Sequence, residues 1–312
     1  MKIFYGIISN YFDVTKFCYD KLLRNNIITI PKSDERRAYY FTDPIYGTLK
    51  FIFIIDDDNN VVEYDNSFEI QINVLTNEIT LTDNNTEDKQ KEISSKLQII
   101  HGSFKEELPE QLMTIKFLTG NEKVLEIGAN IGRNSLIIGS ILKECNNFVS
   151  LECDTESAHK LCENRDLNNM NFHIENAALA KRQIIQKGWD TIVSDTIIDG
   201  YKKVNTITLE ELNNKYNIAF DTLILDCEGA FYYILMDMPE ILNNINLIIM
   251  ENDYYEINKK TYIDDILKQN NFYVAYSEAG GWGPCSNNFY ETWKRNLTPV
   301  DTPVDAPIVI NI

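Results

Sequence analysis

Three acidic residues directly follow two short apolar segments of this sequence. Asp226 and Glu228 come after Phe220 to Leu225, and Glu251 comes after Leu247 to Met250. A carboxylate within hydrogen-bond reach of an alcohol can take its proton, and clustered carboxylates can bind a divalent cation, with Mg²⁺ or Mn²⁺ the best match to oxygen ligands. Acids also stabilise the first turn of a helix. We therefore predict a catalytic or metal-binding role for the three acids, with helix capping as the alternative.

A glycine-containing turn joins another apolar segment to a helix. Lys123 to Ile127 has the composition of a strand, and Ser135 to Leu142 has apolar residues at helical spacing. Gly128 and Gly132 lie between them, where a β-carbon would block the turn or hold the backbone away from a bound nucleoside. The turn lacks the second glycine of the dinucleotide fingerprint and the Lys-Ser/Thr of a phosphate-binding loop. A bound pyrophosphate would therefore be crowded.

An acidic residue ends the next predicted strand, Phe148 to Leu151. Glu152 lies 20 residues after Gly132, close to the spacing at which an acid accepts hydrogen bonds from ribose hydroxyls. A solvated acid at a strand end is the alternative in so acidic a chain. The spacing favours ribose binding by Glu152.

The segment from Val124 to Asn134, Val-Leu-Glu-Ile-Gly-Ala-Asn-Ile-Gly-Arg-Asn, resembles the first motif of class I methyltransferases that use S-adenosylmethionine (SAM). SAM contains no phosphate, so its loop need not be as open as a dinucleotide loop. The resemblance implies that Glu126 contacts the amino-acid end of SAM directly or through water. It also implies a cofactor site formed by Gly128, Asn130, Gly132, Asn134, Glu152, Cys153 and Ala177. An ordinary strand–turn–helix crossover is the alternative.

The elements that would position these residues form an α/β fold. We predict a Rossmann-like, seven-stranded class I methyltransferase domain over residues 105–295, preceded by a small β-rich (α+β) domain over residues 1–85 with one helix. A polar segment, residues 86–104, is the expected linker, and residues 296–312 are a C-terminal tail. The predicted strand order is 3-2-1-4-5-7-6, which brings the strand-end acids to the edge of the SAM cleft.

Composition narrows the classes of partner. The formal net charge is −18, which argues against a nucleic-acid partner and against an anionic membrane surface. No apolar segment is long enough to span a membrane, and the N-terminus does not resemble a secretory signal. The six cysteines form no Cys-x-x-Cys pair. Reduced thiols in a cytoplasmic protein are the simplest interpretation.

Several motifs together resemble the FkbM family of SAM-dependent O-methyltransferases, over roughly residues 105–295. Besides the glycine turn they are Asn164 and Asn168, Ala177-Ala-Leu179, Thr208-Leu-Glu-Glu-Leu212, Leu225-Asp-Cys-Glu-Gly-Ala230 and the strand ending at Glu251. Ile224 and Phe231 depart from the family pattern, which has a lysine and a glutamate there. The resemblance implies methylation of a sugar hydroxyl, on a nucleotide-activated sugar or a glycan, in surface polysaccharide or capsule biosynthesis.

Two other functions stay open at this point. An NAD-dependent sugar dehydrogenase is disfavoured by the missing second glycine. A non-catalytic glycan-binding or scaffold protein that keeps the SAM-type fold is consistent with the departure at Phe231. The loop from Ser277 to Ser286 is glycine-rich, and its Trp282 is a candidate for stacking on a sugar or, equally, for simple packing. The N-terminal domain is compatible with formation of a homodimer, with substrate capture or with a scaffold role.

Overall fold

The structure, a computed structural model, describes residues 1–24, 26–56, 58–82 and 86–296. Its strands are β1 (Lys2–Ile7), β2 (Asn10–Asp13), β3 (Leu23–Arg24), β4 (Ile27–Ile30), β5 (Phe51–Ile55), β6 (Val61–Tyr64), β7 (Glu69–Asn73), β8 (Ile79–Thr82), β9 (Val124–Ile127), β10 (Phe148–Leu151), β11 (His173–Glu175), β12 (Ala178–Leu179), β13 (Ile184–Lys187), β14 (Asp190–Val193), β15 (Lys202–Lys203), β16 (Thr206–Ile207), β17 (Thr222–Leu225), β18 (Leu247–Glu251), β19 (Phe272–Glu278) and β20 (Tyr290–Arg295). Its α-helices are α1 (Thr15–Phe17), α2 (Asp34–Phe41), α3 (Thr86–Lys96), α4 (Leu108–Phe117), α5 (Arg133–Ile141), α6 (Thr155–Leu167), α7 (Leu209–Tyr216), α8 (Phe231–Asp237) and α9 (Ile257–Gln269). A π-helical turn spans Cys18–Leu22, and 3-10 turns span Cys145–Asn147, Pro239–Leu242 and Gly283–Asn288.

The second, larger domain is built on a seven-stranded sheet in the order β11-β10-β9-β17-β18-β20-β19. The first five strands in this order, β11, β10, β9, β17 and β18, are parallel to one another. Strand β20 is antiparallel to both of its neighbours, β18 and β19. This is the predicted order 3-2-1-4-5-7-6, and it confirms the Rossmann-like methyltransferase fold. The third strand of the sheet in chain order is His173–Glu175, and the seventh is Tyr290–Arg295, which follows a 3-10 turn at residues 283–288.

The centre of this sheet is buried on both faces. Every residue of β9, β10 and β17 is buried, as expected for parallel strands covered by helices on both sides. Ile224, where the resembled family has a lysine, is 3% exposed and packs in the core beneath α4 and α5. Phe231 is fully buried in the core on the other face. Both departures from the family pattern are therefore packing residues.

The N-terminal domain consists of two four-stranded sheets, β2-β1-β5-β6 and β3-β4-β7-β8. The β-rich prediction is confirmed, and the one predicted helix corresponds to the segment from Asp13 to Leu23, but it is not the only one among the described residues. That segment contains the short α1 and the π-helical turn, and a second helix, α2, follows β4. Arg37 of α2 is fully buried and donates to the carbonyl oxygens of Pro31, Asp65 and Phe68. No local sequence pattern predicts these long-range hydrogen bonds.

The segment predicted as a linker, residues 86–104, begins with helix α3. Its polar composition reflects exposure, with a Lys96–Glu92 pair at 2.7 Å on the outer face. On the inner face Gln90 is buried and donates to the Gln111 side chain of α4 at 2.8 Å. In the predicted tail, residues 297–312 lie outside the described residues.

Two further expectations concern the whole chain. Among the described residues no helix is both long and apolar enough to cross a bilayer. All six cysteines are free thiols.

The glycine turn is required by strand and helix packing. Gly128 has a φ of +90°, and a β-carbon there would lie 1.6 Å from the carbonyl oxygen of Asp226. Gly132 also has a φ of +90°, and its β-carbon would lie 2.3 Å from Cδ1 of Leu161 in α6. From the sequence we expected glycine here because a β-carbon would block the turn or hold the backbone away from a ligand. The structure shows that they first let the end of β17 and helix α6 come close to the turn.

Gly128→Ala should therefore destabilise this domain by roughly 3 kcal/mol or more, since left-handed strain adds to a backbone clash. Gly188→Ala is the matched control, because Gly188 also has a positive φ, +59°, but a β-carbon there would have no neighbouring atom within 4 Å. We expect a loss of about 1 kcal/mol for the control. Chemical denaturation of both variants measures the difference, and equal losses would contradict the packing explanation.

Candidate cofactor-binding and active site

A cavity of about 530 Å³ lies at the carboxyl ends of β9, β10, β17 and β18. Its size is in the range of small-molecule sites, and its position is where open α/β sheets bind ligands. The small sheet β14-β13-β15 and helix α8 form its other walls. The lining residues used below are Glu107, Glu110, Gly128, Asn130, Glu152, Cys153, Ala177, Ala178, Leu179, Ala180, Arg182, Ile184, Gln186, Trp189, Thr191, Val193, Asp226, Glu228, Tyr233, Asp237, Met238 and Glu251.

Glu152 joins the glycine turn to this cavity. It is 6% exposed and accepts hydrogen bonds from the backbone N–H groups of Asn130 and Asp154, both at 2.7 Å. Burial raises the pKa of its carboxyl group to about 7. Each carboxylate oxygen has a second lone pair, so Glu152 can still accept hydrogen bonds from a ligand in the cavity.

Most of the residues predicted to bind the cofactor line this cavity, and three do not. Gly128, Asn130, Glu152, Cys153 and Ala177 are on its wall. Gly132, Glu126 and Asn134 are not among the lining residues. The structure therefore divides the motif into a cavity-facing part and a supporting part.

Glu126 is held inside the sheet. It is 3% exposed and accepts hydrogen bonds from Ser135 Oγ at 2.5 Å and Ser150 Oγ at 2.7 Å. Burial raises the pKa of Glu126 to about 7. With Asn134 it lines a separate void of about 20 Å³ beneath the turn, room for about one water molecule. We predicted that Glu126 contacts a ligand directly or through water. Because Glu126 faces this small void and does not line the main cavity, only a contact through water fits the structure.

The three strand-end acids all reach the main cavity. Asp226, Glu228 and Glu251 line it together with Glu107 and Glu110 from the start of α4. Burial, reinforced by the negative charges of Glu110, Glu107, Asp253 and Glu228, raises the pKa of Asp226 well above its usual range. A raised pKa makes a carboxylate a stronger base once it is ionised.

The alternative of helix capping is wrong for Asp226 and Glu228. The N-cap of α8 is Ala230, and no side chain makes a capping hydrogen bond there. The turn after β17 is held from the neighbouring strand end, where Asp253 Oδ1 accepts from the backbone N–H of Gly229 at 2.9 Å. Asp226 and Glu228 are thus left facing the cavity.

Metal binding by the three acids stays a prediction. Within residues 1–24, 26–56, 58–82 and 86–296, no group of three or more His, Cys, Asp and Glu side chains is arranged to hold a metal ion. The acids share a cavity wall without converging on one point in this way.

Glu110 has an unsatisfied, buried carboxyl group. The residue is 6% exposed, and its Oε2 has no hydrogen-bond partner in the structure. Burial, with a contribution from the charge of Glu107, raises its pKa to about 7. Seven acids line the cavity against one basic residue, Arg182, whose Nε already pairs with Asp237 at 2.5 Å. The cavity therefore favours a cationic ligand.

Glu107, Glu110 and the inserted sheet β14-β13-β15 were not predicted from the sequence as parts of the site. The signal for the acids was their place at the start of an apolar helix. The signal for the sheet was the alternation around Gly188, which predicts a hairpin from Ile184 to Val193. By contrast, Trp282, the candidate for sugar stacking, is not a lining residue and lies against Tyr255 with ring centroids 4.4 Å apart.

Comparison with protein families finds no match, and comparison with curated proteins finds none either. Solved structures do resemble the chain. Several of them are methyltransferases, and the likeness to each is distant. Membership of the FkbM family is not shown by any of these comparisons.

Three of these structures illustrate the likeness. A putative O-methyltransferase from Klebsiella pneumoniae is 13% identical over 68% of this chain and 90% of its own, with a TM-score of 0.38. An O-methyltransferase from Bacillus cereus, in complex with SAH, is 14% identical over 68% and 91%, with a TM-score of 0.37. A ribosomal protein L11 methylase from Lactobacillus delbrueckii subsp. bulgaricus is 11% identical over 60% and 78%, with a TM-score of 0.37. At such low identities and TM-scores, the likeness concerns the fold alone.

Glu110→Gln should stabilise the ligand-free protein at pH 8. The pKa of Glu110 is raised to about 7 in the folded state, so the stability that its protonation contributes is present at low pH and lost as the pH rises through about 7. We expect a gain in unfolding free energy of roughly 1–3 kcal/mol at pH 8 and a much smaller one at pH 5.

Chemical denaturation at the two pH values measures this difference. The control is Glu144→Gln, because Glu144 is exposed in the same domain, and it should change stability by less than about 0.5 kcal/mol. A destabilised Glu110→Gln protein at pH 8 would contradict the assignment of an unsatisfied buried charge.

Proposed function

We propose that this protein is a SAM-dependent O-methyltransferase and that the cavity beside Glu152 binds SAM. The observation that supports this most strongly is the cavity wall of seven acids with a single, already paired arginine. SAM carries a positively charged sulfonium and an ammonium group and no phosphate. Opposite charges in a partly buried site attract more strongly than in bulk water.

The residues present fit SAM from one end of the cavity to the other. Glu152 can accept hydrogen bonds from ribose hydroxyls at the position that the spacing from Gly132 predicts. The unpartnered Oε2 of Glu110 and the side chain of Asp226 supply negative charge beside the glycine turn, whereas Glu107 is already paired with Arg133. Cys153 and Ala177 offer an apolar wall on the other side of Glu152.

The same charges argue against a dinucleotide. The pyrophosphate of NAD would lie in a cavity lined by seven acids, where burial and neighbouring negative charges raise the pKa of Asp226. Electrostatics thus adds to the absence of a second glycine in disfavouring a sugar dehydrogenase.

Bound SAM supplies an activated methyl group for in-line displacement by an alcohol. The protein must position the acceptor hydroxyl and remove its proton. Asp226 is the best-placed base, since it lines the cavity next to Gly128 and has a raised pKa. Glu228 and Glu251 share the wall and can orient the acceptor hydroxyl or substitute as base.

The proposed acceptor is a sugar hydroxyl, following the resemblance to FkbM proteins, in the synthesis of a surface polysaccharide or capsule. Of the two acceptor forms, the acidic wall favours an uncharged glycan end over a nucleotide-activated sugar, whose diphosphate it would repel. Incubation with SAM and both kinds of acceptor, followed by mass spectrometry, tests this proposal. Gain of one CH₂ unit on a glycan acceptor supports it, and transfer only to nucleotide sugars would reverse the preference.

Asp226→Asn should lower kcat by roughly 10²–10⁴-fold, the range for loss of a general base. The control is Glu175→Gln, because Glu175 also ends a strand but bonds to Tyr216 and Lys215 outside the cavity. It should keep near-normal turnover. If EDTA abolishes wild-type turnover and Mn²⁺ or Mg²⁺ restores it, the acids act through a metal instead. Full activity of Asp226→Asn would remove it from the mechanism.

The preference of the protein for SAM over SAH should increase with pH. SAH lacks the sulfonium charge, and Glu110 and Glu152, whose pKa values are about 7, ionise between pH 6 and pH 7.5. We expect the ratio of the two affinities to rise roughly 5- to 30-fold, the value of one partly screened charge pair. Calorimetric titration measures both ligands. Glu110→Gln should flatten the trend, whereas a pH-independent ratio in the wild type would contradict cation recognition by these acids.

A further inference from the structure

Two polar groups on the cavity wall have no partner among the described residues, one on β13 of the small inserted sheet and one on the segment that leads from β12 into it. Gln186 of β13 is 4% exposed, and its Oε1 makes no hydrogen bond in the structure. Nη2 of Arg182 is likewise buried without a partner, although Nε of the same side chain pairs with Asp237. Both residues line the main cavity. A buried amide without a partner is costly, so this wall is built for a ligand with polar groups at its edge.

The wall around Gln186 is otherwise largely apolar. Ile184 lies two residues away on the same face of β13 and pairs with Val193 of β14. Val193, Leu179 and Met238 also line the cavity. The ligand group that fits between these side chains has apolar faces and a polar edge. A heterocyclic base has this character, whereas a sugar carries hydroxyl groups around its whole ring.

The end of the third strand offers no free polar side chain to such a base. Asn176 follows β11, but its Nδ2 donates to the carbonyl oxygens of Glu152 and Cys153, and its Oδ1 accepts from Thr155. The following four residues, 177–180, are alanine or leucine. Recognition of the polar edge of a base therefore falls to the inserted sheet.

We propose that Gln186 recognises the adenine base of SAM, with Arg182 as a second donor beside it. This inference rests on the proposed function. A glutamine amide can pair with adenine through two hydrogen bonds, accepting from the N6 amino group and donating to the adjacent ring nitrogen. With the ribose at Glu152 and the cationic end of SAM at the acids beside the glycine turn, the base extends toward the inserted sheet. The acidic side of the cavity then remains for the methyl acceptor.

The test is a double cycle that combines a protein change with a ligand change. Calorimetry measures the binding of SAH and of its 6-deamino analogue, in which hydrogen replaces the N6 amino group, to wild-type protein and to Gln186→Leu. The wild type should prefer SAH by about tenfold, the value of one well-placed hydrogen bond. Gln186→Leu should bind the two ligands with equal affinity. S-ribosylhomocysteine, which lacks the base, should bind both proteins equally.

Thr191→Val is the matched control, because Thr191 pairs with Gln186 across β13 and β14 and lines the same cavity. It should keep the preference for SAH. If Gln186→Leu unfolds, Gln186→Glu replaces it: a carboxylate accepts from N6 but cannot donate, so this variant should keep a preference for SAH over the analogue. Retention of the full preference by Gln186→Leu, or an unchanged SAH affinity with a raised KM for the acceptor, would overturn the proposal. Failure of the wild type to bind SAH at all would instead remove the proposed function.

Discussion

The candidate site depends on carboxyl groups that share one cavity wall with too few positive charges to pair them all, since within the part of the chain that the structure describes only Glu107 and Asp237 have an arginine partner. Burial raises the pKa values of Asp226, Glu110 and Glu152, and neighbouring negative charges, such as that of Glu110 beside Asp226, raise them further. The arginine on the wall is already paired with Asp237. In the absence of a ligand these acids retain protons to lower their repulsion. A cationic ligand removes that cost, so its binding is coupled to the release of protons.

Backbone geometry makes this concentration of acids possible. Gly128 lets the end of β17 come so close to the turn after β9 that a β-carbon would overlap the Asp226 carbonyl group. Asp253, which follows β18, accepts a hydrogen bond from the backbone of the turn between β17 and α8. No side chain makes a capping hydrogen bond at the start of α8. Helix α4 adds Glu107 and Glu110 from outside the parallel sheet. Three separate parts of the chain thus place acids around one volume.

Local patterns predicted the sheet and one wall of the site. Buried parallel strands are continuous apolar segments, so their order and the position of Glu152 followed from spacing. The hydrogen-bond partners of Glu126 could not be predicted from spacing, because Ser135 lies on a helix and Ser150 on a neighbouring strand. Gln186 was also missed. A glutamine in a hairpin looks solvent-exposed until β14, β15 and α8 are known to enclose it. Helix α3 was missed in the same way, because its outer face is polar.

The central claim is that the acidic cavity binds SAM, and calorimetric titration of the wild-type protein with SAM and with NAD at pH 7.5 tests it most directly. The account predicts one SAM-binding site per chain, weakened by substitution of Glu152, and no measurable binding of NAD, because the acids around Asp226 repel its pyrophosphate. Binding of NAD in preference to SAM, or of neither ligand by the folded protein, would contradict it.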